Sequence, residues 1–178
     1  MDFTPQNVCG FLLRSRLMTP EEMRAMYQRW LAEAKHDHAD LGAFTRWLVA
    51  RQYVTDYQAT LLAAGHADPD VYFLNQYKIM ERLGRGRMAG VYKAVHALGQ
   101  TVAIKVLPPS RAKNPLMLAR FQREARLALR LKHPNVVRSF QIGHTNGLHF
   151  LVMEYLEGET LEDVLQHRHR LPPAEAVR

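Results

Sequence analysis

Leu83-Gly84-Arg85-Gly86-Arg87-Met88-Ala89-Gly90-Val91-Tyr92, followed after a Gly99-Gln100 turn by Val102-Ala103-Ile104-Lys105, is the stretch that decides the fold. Gly84 and Gly86 carry no Cβ, so backbone N–H groups there can approach an anionic ligand closely. Val91-Tyr92-Lys93-Ala94-Val95 and the run from Thr101 to Leu107 are β-branched or aromatic with alternating polarity, the pattern of strands. A hairpin therefore follows the glycines, and one lysine arrives at its far side.

Two other glycine loops are excluded by what comes next. A dinucleotide-binding loop needs a helix directly after the glycines and an acidic residue roughly 20 positions on. Here a hairpin follows, and that distance brings Lys105. The Walker A spacing, G-x-x-x-x-G-K-[ST], is absent.

These residues resemble the small lobe of a protein kinase, in particular the Hanks-type Ser/Thr kinases of bacteria and eukaryotes. The family signature is G-x-G-x-x-G-x-V over the ATP phosphates, the V-A-I-K lysine, and a glutamate on the next helix. Gly84 and Gly86 take the first two glycine places, Ala89 the third, and Val91 the valine. Alanine at the third place departs from the pattern, with Gly90 beside it. The resemblance implies that Leu83, Gly84, Arg85, Gly86, Arg87, Met88, Ala89, Gly90 and Val91 cover ATP, and that Lys105 holds its α and β phosphates.

The glutamate can also be argued from the residues themselves. Asn114-Pro115 reads as an N-cap with proline at the first helical position, and His133-Pro134 as the end of that helix. At 100° per residue, Met117, Leu118, Phe121, Ala125, Ala128 and Leu131 share one arc, opposite Arg123, Arg126 and Arg130. Glu124 falls in the apolar arc. A buried carboxylate needs a cation or hydrogen bonds, and breaking a buried pair costs about 3–5 kcal/mol. Lys105, set among Ala103, Ile104, Val106 and Leu107, has the reciprocal need. The two are expected to pair, either as the orienting pair of a nucleotide site or as a purely stabilising one.

The resemblance continues through His133-Pro134-Asn135-Val136-Val137 and Leu148 to Leu156. It implies that Met153 lines the back of an adenine pocket, that the Glu154 carbonyl and Leu156 N–H meet the adenine edge, and that Leu83, Val91 and Ala103 form its roof. Thr160-Leu161-Glu162-Asp163 reads as a capped helix start and Pro172-Pro173 as another. The family's H-R-D base and the metal ligands of its catalytic loop and D-F-G do not occur in this sequence. The chain is accordingly expected to be an N-terminal piece of a longer kinase, inactive by itself, with Mg relevant only in the company of a large lobe and with no metal site of its own. The alternative is a non-catalytic nucleotide-sensing or interaction module, a pseudokinase or a truncated regulator.

The first 65 residues read as helical and contain a repeat. Phe11-Leu12-Leu13-Arg14-Ser15-Arg16-Leu17-Met18-Thr19 aligns with Trp47-Leu48-Val49-Ala50-Arg51-Gln52-Tyr53-Val54-Thr55 at an offset of 36 positions. Thr19 with Glu22, and Thr55 with Gln58, both have capping-box spacing. Two helix-turn-helix units with Trp30, Phe44, Trp47 and Leu61 inside are expected, with Gly65 and Asp68-Pro69-Asp70 closing the module. It has the character of a regulatory or docking module for a partner protein, or of a stabilising appendage. His36 and His38 around Asp37 lack the further ligands of a metal site.

An α+β architecture follows: a helical module (1–66), a linker (67–76), a kinase-like small lobe with a five-stranded antiparallel sheet, a regulatory helix and the hinge (77–157), and the start of a large lobe (158–178). Of the 178 residues 47% are hydrophobic, ordinary for a globular chain. The net charge of +7 is uneven. Residues 1–70 carry 7 Lys/Arg against 9 Asp/Glu, and the remainder 17 against 8. The acidic balance of the module disfavours a DNA-reading role, and no specific nucleic acid is expected. A single cysteine, Cys9, fits a reducing compartment. No apolar run approaches the roughly 20 residues of a membrane span, so the expected location is cytoplasmic. ATP and protein substrates are the expected partners.

Overall fold

The computed structural model describes residues 4–34, 38–85 and 89–176. Four helices come first: α1 (Pro5–Arg14), α2 (Pro20–Glu33), α3 (Leu41–Ala50) and α4 (Asp56–Ala63). The sequence repeat is also a structural one, since shifting α1 by 36 positions lands on α3, and the start of α2 lands on that of α4. Capping boxes close at Thr19–Glu22 and at Thr55–Gln58.

The first helix of each repeat ends the same way. Arg16 and Gln52 both turn left-handed at φ 59°, and their N–H groups donate to Leu13 and Val49. The next N–H groups, of Leu17 and Tyr53, reach back to Leu12 and Leu48 at 3.1 and 2.9 Å. This paired closure satisfies carbonyls that a helix end leaves open. Val8, Leu12, Met26, Phe44, Leu48 and Leu62 fill the core between the helices. Leu62, rather than the expected Leu61, is fully buried, because α4 turns that face inward. Trp47 is half-buried, with its indole N–H donating to Glu33 at 2.8 Å, while Trp30 and Phe44 are inside as expected.

Part of the stretch read as a linker is ordered. Pro69–Tyr72 forms a helical turn, α5, and Phe73–Leu74 forms a short strand, β1. Tyr72 is fully buried in the helical core, and its hydroxyl donates to the His66 carbonyl at 2.8 Å. Leu74 already belongs to the core of the sheet. The backbone therefore passes from one core to the other within two residues.

The sheet has six antiparallel strands in the order β1-β2-β3-β4-β6-β5, comprising β2 (Tyr77–Arg85), β3 (Gly90–His96), β4 (Thr101–Leu107), β5 (Ser139–Thr145) and β6 (Leu148–Glu154). The five expected strands are present, and β1 is a two-residue addition that pairs with Tyr77 and Lys78. Gly99 turns the β3–β4 hairpin at φ 87°, a conformation that glycine adopts without penalty. A short helix, α6 (Pro109–Ala112), leads to α7 (Pro115–Arg130), which is capped by Asn114 with proline at its start.

Each face of the sheet has its own core. On one face Ala94, Val102, Ile104, Phe150 and Val152 pack with Leu74, Tyr77 and Ile79. On the other, Phe121 and Ala125 of α7 pack on Leu107 and Leu151. Leu131 is not part of the apolar arc: α7 ends at Arg130, and Leu131 caps it in an extended conformation, 52% exposed. The helices α8 (Leu161–Arg168) and α9 (Pro173–Ala176) bury no residue, and Arg168 ties them together through a two-pronged ion pair with Glu175. No helix among the described residues is long and apolar enough to cross a membrane.

Candidate functional site

Cross-strand register assembles the candidate residues. Gly84 pairs with Val91, Val91 with Lys105, and Lys105 with Leu151, so these positions form one row on the sheet. Ala103 pairs with Met153 one step along, and a two-residue step returns to the same face. Val91, Ala103, Lys105 and Met153 therefore share a face with Leu107 and Leu151. α7 covers the Leu107 and Leu151 end and reaches Lys105 through Glu124, while Ala103, 7% exposed, and Met153 lie further along the same face.

Two irregularities in β2 shape the approach to the glycines. Its register against β3 slips between Ile79 and Glu81 and again between Arg82 and Gly84, placing bulges at Met80 and Leu83. Such insertions bend a strand and raise its twist. A Cβ built on Gly84 meets nothing within 4 Å, so the space over the strand is open there. Leu83 is 41% exposed. Gly86, Arg87 and Met88 lie outside the described residues, and of Arg85 only the backbone is described. Ala89 is 6% exposed, its methyl group packed in the cluster of Phe121, Ala125 and Leu151. Its side chain thus faces the helix core, an anchoring contact that sequence reasoning did not see.

Lys105 and Glu124 meet as the sequence required, Nζ to Oε2 at 3.5 Å. The pair is less buried than the helical arc implied, with 32% and 41% of the two side chains exposed. Arg120, one turn earlier, holds the other carboxylate oxygen at 2.9 Å. That hydrogen bond, opposed by desolvation and reinforced by the charges of Lys105 and Arg120, draws the Glu124 carboxyl below its usual range. The arrangement keeps a cation and an anion on the open face of the sheet, with Glu124 shared between two bases.

At the exit of β6, the Glu154 N–H donates to the Arg138 carbonyl at 2.9 Å, and its carboxylate accepts from the Arg138 N–H at 2.5 Å. This double contact fixes the end of β6 to the segment entering β5. Leu156, two residues further, is 61% exposed. Lys93 extends over the Tyr155 ring, 4.5 Å from its centroid. Among the described residues no group of three or more His, Cys, Asp or Glu could hold a metal ion. Of the histidine cluster, His36 and Asp37 lie outside the described residues.

A wide groove lies away from the Lys105 face. About 740 Å³ in volume, it runs along the seam between the helical module and β2, lined by Tyr53, Tyr57, Lys78, Met80 and Arg82 among others. The shared face of Val91, Ala103, Lys105 and Met153 is the stronger pointer to chemistry, because it presents a cation oriented by a partner, whereas the groove follows the join between two packed bodies.

Comparison with known proteins gives a consistent picture. Residues 77–178 match the protein kinase domain family. The serine/threonine-protein kinase PrkC of Bacillus subtilis is 39% identical over 103 residues, which is 57% of this chain and 16% of that protein. PknH of Mycobacterium tuberculosis is 40% identical over 102 residues, 57% of this chain and 16% of PknH. The crystal structure of the PknI kinase domain of Mycobacterium tuberculosis superposes with a TM-score of 0.50 at 30% identity, covering 58% of this chain and 43% of that one. The chain spans about 16% of the length of these two curated relatives. With more than half of its residues matched, the chain belongs to the protein kinase family.

Proposed function

We propose that this chain is the ATP-binding part of a serine/threonine protein kinase, one that transfers the γ-phosphoryl group of ATP to protein hydroxyls. Lys105 binds the α and β phosphates, Glu124 orients Lys105, and the β2–β3 turn from Leu83 to Val91 covers the nucleotide. Ala103, Val91 and Leu83 enclose the adenine, Met153 lies behind it, and the backbone of Glu154 and Leu156 meets its edge. ATP supplies the transferred group; these residues bind and orient it. Protein substrates, Mg and a cytoplasmic setting belong to the same reading.

The observation that carries it is the convergence of an open glycine position, a small alanine and a lysine paired to α7 on one face of the sheet. The residues fit a nucleotide: the strand over Gly84 has free space, and the cation is accessible. The test is an ATP titration of the chain followed by amide chemical shifts. Shifts clustered at Gly84, Val91, Ala103 and Met153, with affinity weakened about tenfold or more by Lys105→Met, are the expected result. Equal affinity in the variant, or shifts confined to the helical module, would refute the assignment.

A further inference from the structure

Where β1 ends, the outer edge of β2 loses its strand partner, since β1 reaches only Tyr77 and Lys78. Unpaired edge carbonyls need donors, and a helix laid over the edge is one way to supply them. Here the donors come from the helical module. The Gln58 amide donates to the Ile79 carbonyl at 2.7 Å, and the Thr55 hydroxyl donates to the Met80 carbonyl at 2.6 Å. Both carbonyls belong to the first β2 bulge, just ahead of Leu83 and Gly84. Gln58 is 1% exposed, so its bond is made in a site closed to water.

The repeat shows that this contact is more than helix capping. Glu22 occupies the place in the first repeat that Gln58 occupies in the second. Glu22 is exposed and caps through its carboxylate, accepting from the Thr19 N–H at 2.8 Å. Gln58 caps in the same way, its oxygen accepting from the Thr55 N–H at 3.1 Å. A carboxylate cannot donate, whereas an amide can. Glutamine stands where the same side chain must cap the helix and also give a proton to the strand. Tyr57, between the two, lies against Tyr92 of β3 with ring centroids 6.3 Å apart.

We propose that Gln58 and Thr55 are positioning residues for the nucleotide face, holding the β2 bulge so that the helical module sets where the strand enters the glycine turn. The functional half rests on the nucleotide reading above; the mechanical half does not. The clamp works through backbone carbonyls, and its effect passes along β2 to Leu83, Gly84 and the paired Val91.

The test is hydrogen exchange on the whole chain, comparing wild type with Gln58→Glu, Gln58→Met, Thr55→Val and Thr55→Ser. Gln58→Glu keeps a capping oxygen but puts an acid beside the strand carbonyls, either as a buried charge or as a protonated donor, so the neutral Gln58→Met, which cannot donate, is the decisive variant. Amides of residues 79–85 and 90–92 are expected to exchange roughly tenfold faster or more in Gln58→Met and Thr55→Val, as for a lost buried hydrogen bond. Thr55→Ser, which retains the hydroxyl, should restore protection, and the β4–β6 ladder should stay unchanged in all four. Unchanged exchange in both Gln58→Met and Thr55→Val would overturn the proposal.

Should the variants fail to fold, exchange in the wild type under increasing urea decides: residues 79–84 are expected to open together with α4, and opening independent of α4 refutes the clamp. ATP titration of Gln58→Met separates the two claims. Weaker binding supports positioning, and faster exchange with unaltered ATP affinity overturns it. If the wild type itself bound no ATP, the nucleotide reading and the positioning role would both fall, while the exchange result would still decide the clamp.

Discussion

Replacing Glu124 by glutamine distinguishes an orienting ion pair from a structural one. The carboxylate lies 3.5 Å from Lys105 and 2.9 Å from Arg120, and 41% of its side chain remains exposed. For pairs this open, the Lys105 contact is worth about 0.2–1 kcal/mol and the helical Arg120 contact about 0.3–0.5 kcal/mol. Glu124→Gln should therefore destabilise the fold by no more than about 1.5 kcal/mol, against about 3–5 kcal/mol for breaking a buried pair. At roughly 2–4 °C per kcal/mol for a chain of this size, the melting midpoint should fall by less than about 6 °C.

Thermal unfolding of wild type, Glu124→Gln, Lys105→Met and the double variant closes a cycle whose coupling energy should stay below about 1 kcal/mol. In the nucleotide reading the same substitution weakens ATP binding, so affinity and stability part company. A coupling of about 3 kcal/mol or more would show that the pair is a buried structural element and refute the reasoning.

Gly143→Ala should destabilise the sheet by about 1–3 kcal/mol, because a Cβ there would lie 2.7 Å from Cε1 of Phe150 and closer still to the rest of the ring edge. Adding Phe150→Leu should recover part of the loss in thermal melts, and additive effects would contradict the clash. Burial pushes the Cys9 thiol up to about 11, so at neutral pH it should resist alkylation until the helical module unfolds; rapid labelling of the native chain would count against this. Hydrogen bonds from Arg29 and Trp47, then Arg51, hold the Glu33 carboxyl down at about 2 from its ordinary 4.5. Its contribution to stability should therefore be complete above pH 4.5 and disappear as the pH falls towards 2. Glu33→Gln should flatten that part of the acid profile, and an unchanged profile would remove Glu33 from it.

The lobe was legible in the sequence where side chains made complementary demands. Lys105 and Glu124 each stood among apolar neighbours, so each pointed to the other. How exposed they would be was not legible, because a helical arc gives direction and not how far the facing sheet extends. The β1 strand escaped notice because two residues carry no period. The packing of Ala89 against Phe121 joins residues on opposite sides of a hairpin, and only the folded chain brings them together. A capping box accounts for Gln58 in the sequence, and its second role as a donor depends on the strand that faces it. The signal was there in the exchange of glutamate for glutamine between otherwise matched repeats.

The backbone's direct passage from Tyr72 in one core to Leu74 in the other affects how the protein can be dissected. A cut at Tyr77, the first residue of β2, would strip away the sixth strand together with the helix that shields the bulge. It would leave a bare row of amide groups along β2, an invitation to sticking and to domain-swapped dimers. Excision to obtain the lobe alone should begin upstream of Thr55, so that the sheet retains its own cover.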